Sequence, residues 1–158
     1  MSDLLQVGQK APNFSAQDQD NQTVSLEDFR DRWLVLYFYP KDDTPGCTVE
    51  AIDFTSLKDQ FADQGAAIAG VSADSEESHC KFIAKHDLGI QLLSDPERKV
   101  IEAYNVWQLK KFMGKEYMGI VRSTFLIDPD SNLAHIWAKV RAKGHAEKVL
   151  EQLVALRK

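Results

Sequence analysis

The pattern of hydrophobic positions begins with a continuous apolar run and then changes to a helical period. Trp33–Tyr39 contains seven consecutive apolar or aromatic residues, which is typical of a strand buried on both faces. Pro40 ends this run. From Pro45 onwards, apolar residues recur at spacings of 4, 3, 3 and 4, at Cys47, Ala51, Phe54, Leu57 and Phe61. This spacing predicts an amphipathic helix that starts at about Pro45 and carries Cys47 in its first turn, facing the interior.

The next part of the chain alternates between apolar runs and helix signals. Ala67–Ser72 reads as a second buried strand. Asp74, followed three residues later by Glu77, forms a capping-box signature and predicts a helix that continues to about His86. Ser94–Pro96 predicts another helix, with Pro96 at its first position and with an apolar side formed by Val100, Ile101 and Tyr104.

The two ends of the chain add a short hairpin region and a final hairpin with a helix. Val24, Leu26 and Phe29 indicate the N-terminal hairpin and turn, and residues 123–127 and 133–140 predict two strands joined by a polar turn. The last helix has an apolar side formed by Ala146, Val149, Leu150, Leu153 and Leu156. Strands that alternate with helices predict one α/β domain over residues 1–158, with a mixed sheet and helices on both faces.

Composition narrows the classes of function. The chain has 158 residues, 44% of them hydrophobic, which suffices for a core without disulfides or a structural metal, so both cysteines are free for chemistry. A net charge of -5 disfavours binding to nucleic acid or to an anionic membrane. The N-terminus lacks a basic segment followed by an apolar one, so we expect no export signal and a reducing cytoplasm.

The segment from Pro40 to Glu50 carries the candidate chemistry. A cysteine in a first helical turn faces unpaired backbone N–H groups and the positive end of the helix dipole, and both favour thiolate over thiol. The loop before Cys47 follows a buried strand, and α/β sheets place ligands at that edge. Thr44, three residues earlier, can bring a hydroxyl beside the sulfur. Pro40 removes a donor and stiffens the loop.

The string Pro40-x-x-x-Thr44-x-x-Cys47 resembles the active-site motif of peroxiredoxins. The segments 38–42, 44–48 and 121–128 are similar to the subfamily called peroxiredoxin Q or bacterioferritin comigratory protein. The resemblance extends from about Gly8 to Leu153, which is nearly the whole chain. It implies a thioredoxin-like fold and a thiol peroxidase that needs no metal, haem or flavin.

The resemblance also implies roles for individual residues. Cys47 matches the peroxidatic cysteine, whose thiolate attacks the O–O bond of hydrogen peroxide or an organic hydroperoxide and becomes a sulfenic acid. Arg122 matches the family's active-site arginine, which holds the thiolate and polarises the peroxide. Glu50 has two interpretations: it orients that arginine, or it interacts with the dipole of the first helical turn.

The sequence leaves two possibilities for the thiol that reduces the sulfenic acid of Cys47. Many members of the subfamily carry a resolving cysteine five residues after the peroxidatic one, but Ile52 stands there in this chain. Cys80 is the other thiol; it lies about one helical turn before the place where some members resolve, on the flank of its helix, where we expect partial exposure. The enzyme either resolves through Cys80 with thioredoxin or a similar dithiol, or works with one cysteine and an external thiol. The subfamily resemblance also suggests a monomer.

Other interpretations compete with this one. A disulfide oxidoreductase would need a C-x-x-C motif, but Thr44 occupies the first cysteine position. A non-catalytic redox sensor would use Cys47 oxidation as a switch. We expect His79 and His86 to lie on a solvated helix face rather than to bind a metal. A set of basic residues either docks an acidic reductant or simply faces solvent: Lys110, Lys111, Lys115, Lys139, Arg141, Lys143, His145 and Lys148.

Overall fold

A computed structural model describes residues 5–157, which form a mixed sheet covered by helices. The strands are β1 (Ser15–Asp18), β2 (Thr23–Ser25), β3 (Trp33–Phe38), β4 (Ala66–Ser72), β5 (Gln91–Ser94), β6 (Trp107–Phe112), β7 (Lys115–Ile120), β8 (Ser123–Ile127) and β9 (Leu133–Trp137). The helices are α1 (Pro45–Asp63), α2 (Glu76–His86), α3 (Lys99–Ala103) and α4 (His145–Arg157), with a short 3-10 helix at Leu26–Phe29.

Seven of the strands form one sheet in the order β2-β1-β5-β4-β3-β8-β9, and β6 and β7 form a separate hairpin. β3 pairs in parallel with β4 and antiparallel with β8, so it is an interior strand of the sheet. Leu36 of β3 lies opposite Ala69 on one side and Phe125 on the other. Burial on both faces explains why β3 is a continuous apolar run.

Alternate residues of β3 point into two apolar layers. Tyr37 packs with residues of α1, α2 and α4, for example Phe54, Phe82 and Val149. Leu36 and Phe38 pack on the other face with Ile101 of α3, with Tyr104 directly after it, and with Leu26 and Phe29 of the 3-10 helix. The predicted α/β class, a mixed sheet with helices on both faces, is therefore confirmed.

Helix α1 begins where the sequence predicted it. Thr44 is its N-cap with an extended backbone, and Pro45 occupies the first helical position, where the missing N–H costs nothing. Cys47 lies in the first turn and is buried, as the apolar spacing required. No helix in residues 5–157 combines the length and apolar composition needed to cross a bilayer.

The start of α2 differs from the prediction. Ser75, not Asp74, is the N-cap, and its hydroxyl accepts the backbone N–H of Ser78 at 3.1 Å. The carboxylate of Asp74 accepts instead from the Ser72 hydroxyl at 2.7 Å and from the backbone N–H of Asp42 at 2.8 Å. The tertiary contact with Asp42 therefore uses the Asp74 carboxylate that the local pattern predicted as the N-cap of α2.

The start of α3 and the bounds or presence of several strands also differ from the sequence predictions. Pro96 is not the first residue of a helix; it lies in a turn, and α3 begins at Lys99. The Asp95 carboxylate holds that turn, accepting the backbone N–H of Ile101 at 2.7 Å. The returning strand β9 ends at Trp137 rather than Val140. β5 and the β6–β7 hairpin were not predicted, because β5 has four residues and because the hairpin mixes exposed apolar residues with lysines and lacks a regular alternation of buried and exposed positions.

Candidate active site

The thiol of Cys47 faces the guanidinium of Arg122. Cys47 is 1% exposed, and Nη2 of Arg122 donates to its Sγ at 3.2 Å. Arg122 immediately precedes β8, whose first residue, Ser123, lies opposite Phe38 at the end of β3. The antiparallel pairing of β3 and β8 therefore places Arg122 beside the loop from which α1 starts. This contact brings together two residues that the sequence analysis singled out separately.

Glu50 holds the other side of the guanidinium. Its Oε1 accepts from Nη1 of Arg122 at 2.6 Å, and the side chain is completely buried. Within residues 5–157, its Oε2 has no hydrogen-bond partner. Burial raises the pKa of Glu50 to about 7, against the lowering effect of Arg122. Of the two interpretations of Glu50, this contact favours the one in which it orients the arginine.

Glu50 and Cys47 favour the charged form of Arg122. Burial by itself lowers the pKa of Arg122, but Glu50 and Cys47 oppose this effect and raise the pKa above its usual value. The guanidinium donates to a sulfur and a carboxylate at once, which the fixed fork geometry of arginine permits and a lysine ammonium does not reproduce. The arrangement therefore presents a fixed positive charge to Cys47.

Gly46 makes room for this contact, and the sequence analysis assigned it no role. A Cβ atom at Gly46 would lie 3.0 Å from Nη2 of Arg122, closer than such contacts normally come. Glycine therefore allows the guanidinium to approach the start of α1. The signal in the sequence is the position of this glycine directly before Cys47, but a glycine there is equally compatible with a simple turn.

Thr44 and Pro40 border the site from the preceding loop. The hydroxyl of Thr44 donates to the backbone carbonyl of Lys41 at 2.9 Å, and the residue is half-buried. Its oxygen lone pairs are thereby left as acceptors for another donor. Pro40 is half-buried and lies with Arg122 on the wall of one cavity.

That cavity has a volume of about 490 Å³ and a mixed wall. Its basic residues are Arg122, Lys110, Lys111 and Lys139, and its apolar residues are Leu109, Val121, Val140 and Pro40. Burial lowers the pKa of Lys110, with a further lowering from Arg122. Part of the predicted basic set therefore surrounds the approach to Arg122. His145 does not belong to that surface, because it is buried and hydrogen-bonded to Thr124 at 2.7 Å.

Cys80 lies apart from this arrangement. It is exposed on α2, as expected, and its Sγ donates to the backbone carbonyl of Gln19 at 2.9 Å, in the turn between β1 and β2. Both cysteines are free thiols. The two sulfurs therefore have different partners in this state: Cys47 has Arg122 and Cys80 has Gln19.

The prediction for His79 is wrong, whereas His86 is partly exposed. His79 is 0% exposed; its Nδ1 lies 2.7 Å from Oδ2 of Asp42 and its Nε2 lies 2.9 Å from the carbonyl of Leu93. The first turns of α2 pack against the loop before α1, and this packing buries a histidine that helical periodicity alone placed outside. His86 binds Asp43 at 2.9 Å. Residues 5–157 contain no cluster of three or more His, Cys, Asp or Glu side chains suited to a metal.

Comparisons with known proteins agree over nearly the whole chain. The AhpC/TSA family matches residues 7–136. Peroxiredoxin Bcp of Bacillus subtilis (strain 168) is 51% identical over 149 residues, covering 94% of this chain and 95% of the relative.

Solved structures give the same result. A cysteine-to-serine mutant of PrxQ from Xylella fastidiosa superposes with a TM-score of 0.94 at 36% identity, covering 99% of this chain and 100% of that one. The bacterioferritin comigratory protein of Xanthomonas campestris, studied for its alkyl peroxide reduction activity, gives a TM-score of 0.87 at 41% identity. That match covers 92% of each chain.

Proposed function

The chain belongs to the AhpC/TSA family and is a thiol-dependent peroxiredoxin with a thioredoxin-like fold, and from this premise we propose that Cys47 is its peroxidatic residue. Arg122, Glu50, Thr44 and Pro40 form the rest of the site in this proposal. The observation that carries it is the donor contact of 3.2 Å between Arg122 and the sulfur of Cys47. A positive charge held at that distance favours thiolate, the reactive form of cysteine.

The first chemical step transfers one oxygen atom to sulfur. The Cys47 thiolate attacks the terminal oxygen of a hydroperoxide, an S–O bond forms and the O–O bond breaks. Sulfur loses two electrons and becomes a sulfenic acid, while the departing alkoxide or hydroxide takes a proton and leaves as alcohol or water. Arg122 stabilises the negative charge as it moves from sulfur to the departing oxygen. Glu50 acts through Arg122 and is a positioning residue.

Thr44 and Pro40 orient the peroxide in this mechanism. The Thr44 hydroxyl already donates to Lys41, so its oxygen is available to accept the peroxide O–H. Pro40 contributes a wall without an N–H donor, so it leaves no backbone donor that would compete for the substrate.

The substrates in this proposal are hydrogen peroxide and organic hydroperoxides. The cavity beside Arg122 has a volume of about 490 Å³ and includes apolar side chains, which accommodates an alkyl group. The Xanthomonas campestris relative, described for its alkyl peroxide reduction activity, supports the organic part of this assignment.

For recycling, we favour Cys80 as the resolving thiol, with thioredoxin or a similar dithiol as the reductant. The Cys80 thiol condenses with the sulfenic acid of Cys47, which releases water and forms a disulfide, and the dithiol then reduces that disulfide. A disulfide requires Cα atoms within roughly 7 Å, whereas Cys47 and Cys80 lie in separate helices and their sulfurs have separate partners. In this proposal the first turn of α1 or the start of α2 therefore unwinds before the disulfide forms. Exposure of Cys80 makes its sulfur accessible for this step.

A one-cysteine mechanism is the second candidate, and one observation favours it. The Sγ of Cys80 is held by the carbonyl of Gln19, whereas Cys47 is held by Arg122. If neither segment unwinds, an external thiol must reduce the sulfenic acid directly.

We further propose a monomer that works in the cytoplasm as one domain over residues 1–158. Both thiols are free, which suits a catalyst kept reduced by a dithiol system. Seven strands share one sheet, with apolar cores on both of its faces, which supports a single folding unit.

Stopped-flow oxidation with hydrogen peroxide tests the central assignment. The wild-type protein should form sulfenic acid much faster than free cysteine and should turn over with thioredoxin, and Cys47→Ser should do neither. Cys80→Ser is the matched control, because it removes the other thiol and should leave the first oxidation intact. Oxidation no faster than free cysteine would contradict a catalytic role for Cys47, and turnover retained by Cys47→Ser would place the chemistry elsewhere.

A further inference from the structure

A second buried polar cluster lies beside the site, centred on the carboxylate of Asp42. Its Oδ1 accepts from the Tyr39 hydroxyl at 2.6 Å. Its Oδ2 accepts from the Ser78 hydroxyl at 2.7 Å and lies 2.7 Å from Nδ1 of His79. The backbone N–H of Asp42 donates to Asp74 at 2.8 Å. None of these residues has a role in the chemistry proposed above.

Hydrogen bonds at both ring nitrogens fix the orientation of the His79 imidazole. Its Nε2 lies 2.9 Å from the carbonyl of Leu93, which can only accept, so that nitrogen carries a proton. The separation of 2.7 Å between Nδ1 and Oδ2 of Asp42 is that of a short hydrogen bond between the two side chains. Both residues are buried, so removal of either partner leaves a buried polar group unsatisfied.

The cluster joins the two segments that carry the cysteines. Asp42 lies in the loop between β3 and α1, five residues before Cys47. Ser78 and His79 lie in the first turns of α2, directly before Cys80. The His79–Asp42 contact therefore connects the segment that must present Cys47 to peroxide with the segment that would supply the resolving thiol.

We propose that His79 is a positioning residue of the peroxidase: through Asp42 it couples the opening of the loop before Cys47 to the opening of the turn that carries Cys80. While the contact holds, both segments stay folded and Cys47 keeps its partner Arg122. When it breaks, both segments open together, and the two sulfurs are free to meet. This inference rests on the proposed recycling through Cys80 for its consequence in turnover, but the coupling itself is a property of the reduced protein.

The two catalytic steps respond differently to loss of this contact. If the folded site is the dominant state, a tenfold rise in the population of the open state lowers the folded population by only a small fraction. The first oxidation, which needs the folded site, should then slow by less than about twofold. Disulfide formation, which needs the open state, should accelerate by about tenfold. General destabilisation of the fold would not accelerate one step in this way.

Two variants remove different numbers of contacts from the cluster, and a third variant is a control. His79→Leu keeps a similar volume and removes the polar contacts of the ring with Asp42, Leu93 and Tyr39. Tyr39→Phe keeps the ring and removes only the hydroxyl, which donates to Asp42 at 2.6 Å and lies 3.5 Å from Nδ1 of His79, so it stays informative if the leucine variant folds poorly. Tyr104→Phe is the matched control: it removes another buried tyrosine hydroxyl, which donates to the carbonyl of Pro12 at 2.7 Å on the opposite face of the sheet.

Hydrogen exchange measured by mass spectrometry on the reduced protein reports opening directly. His79→Leu should speed amide exchange in residues 40–48 and 75–81 together by about tenfold, and Tyr39→Phe by about fivefold, with residues 123–127 unaffected. Tyr104→Phe should leave both segments at the wild-type rate. Faster exchange in one segment alone, or in neither, would overturn the coupling.

Stopped-flow kinetics then measure the consequence in single turnover with peroxide. Disulfide formation should be faster in His79→Leu and in Tyr39→Phe than in the wild type; an unchanged or slower rate would contradict the role of His79 in turnover. If the wild-type protein forms no Cys47–Cys80 disulfide, the recycling scheme fails, while the exchange experiment still decides the coupling. If the disulfide forms and exchange is unaffected by either variant, the recycling scheme stands and the coupling fails.

Discussion

Nη2 of Arg122 lies 3.2 Å from Sγ of Cys47, although the two residues are 75 positions apart in the chain. The pairing of β8 with β3 produces this contact, since Phe38, at the end of β3, lies opposite Ser123. The loop after β3 leads into α1, and the residue before β8 therefore reaches the first turn of that helix. The residue directly before β8 thus supplies a fixed cation, and the first turn of α1 supplies the nucleophile.

Loss of the guanidinium should make Cys47 a slower nucleophile. Arg122→Met keeps an unbranched side chain but removes the donor to sulfur and the partner of Glu50. We expect peroxide oxidation to slow by at least about tenfold, since removal of one hydrogen-bond donor that stabilises developing charge typically costs about 10²–10³ in rate. Iodoacetamide alkylation as a function of pH checks the cause: less thiolate should be present at pH 7. An unchanged alkylation profile would remove Arg122 from the site.

A methyl group at Gly46 should disturb the contact between Arg122 and Cys47 without removing the guanidinium. Gly46 does not have a left-handed backbone, so alanine is tolerated by the helix, but its Cβ would lie 3.0 Å from Nη2 of Arg122. Displacement of the guanidinium by a few tenths of an ångström should slow peroxide oxidation several-fold while thermal stability is maintained.

A double-mutant cycle separates this effect from others. In the Arg122→Met background, Gly46→Ala should have no additional effect, because the group that it displaces is absent. Equal effects of Gly46→Ala in both backgrounds would show that it acts independently of Arg122.

The raised pKa of Glu50 should be visible in the pH dependence of stability. The folded protein binds this proton more tightly than the unfolded chain, since burial raises the pKa from 4.5 to about 7. The contribution of Glu50 to the free energy of unfolding is therefore greatest below pH 4.5 and decreases as the pH rises to about 7. The decrease is at most about 3 kcal/mol.

Urea denaturation of the wild type and of Glu50→Gln at pH 5 and pH 7.5 measures this contribution. Glutamine cannot ionise, so the difference in free energy of unfolding between wild type and variant should move against the wild type at the higher pH. A difference that is independent of pH would mean that Glu50 keeps an ordinary pKa in the folded protein.

Removal of the second thiol should distinguish the two recycling schemes. Cys80→Ser should oxidise at the wild-type rate in the first step but should fail to turn over with thioredoxin. Mass spectrometry of peroxide-treated wild type should find the Cys47–Cys80 crosslink. Normal turnover by Cys80→Ser, without that crosslink in the wild type, would establish the one-cysteine mechanism.

Local features of the sequence were enough to predict the main elements near the site. The apolar run of β3, the proline that ends it and the helical spacing after Pro45 predicted both this interior strand and the burial of Cys47. These features are local, because an uninterrupted apolar strand and an amphipathic helix each show their burial in the residues of a short window. The motif around Cys47 likewise identified the family.

Tertiary contacts decided the rest. Asp74 was predicted as a helix cap and instead binds Ser72 and Asp42, and His79 was predicted on a solvated face and is instead buried against Asp42. In both cases a partner 32 or 37 residues away competes successfully with the local preference.

The sequence by itself determined the main strands and helices around the site, where α1 starts and which sulfur lies in its first turn, because backbone hydrogen bonding and apolar spacing act over short stretches of chain. Only the tertiary structure decided that the guanidinium reaches that sulfur, that Gly46 leaves space for it and that His79 ties α2 to the loop. Those outcomes depend on strand register and on packing between distant segments, which no short stretch of sequence contains.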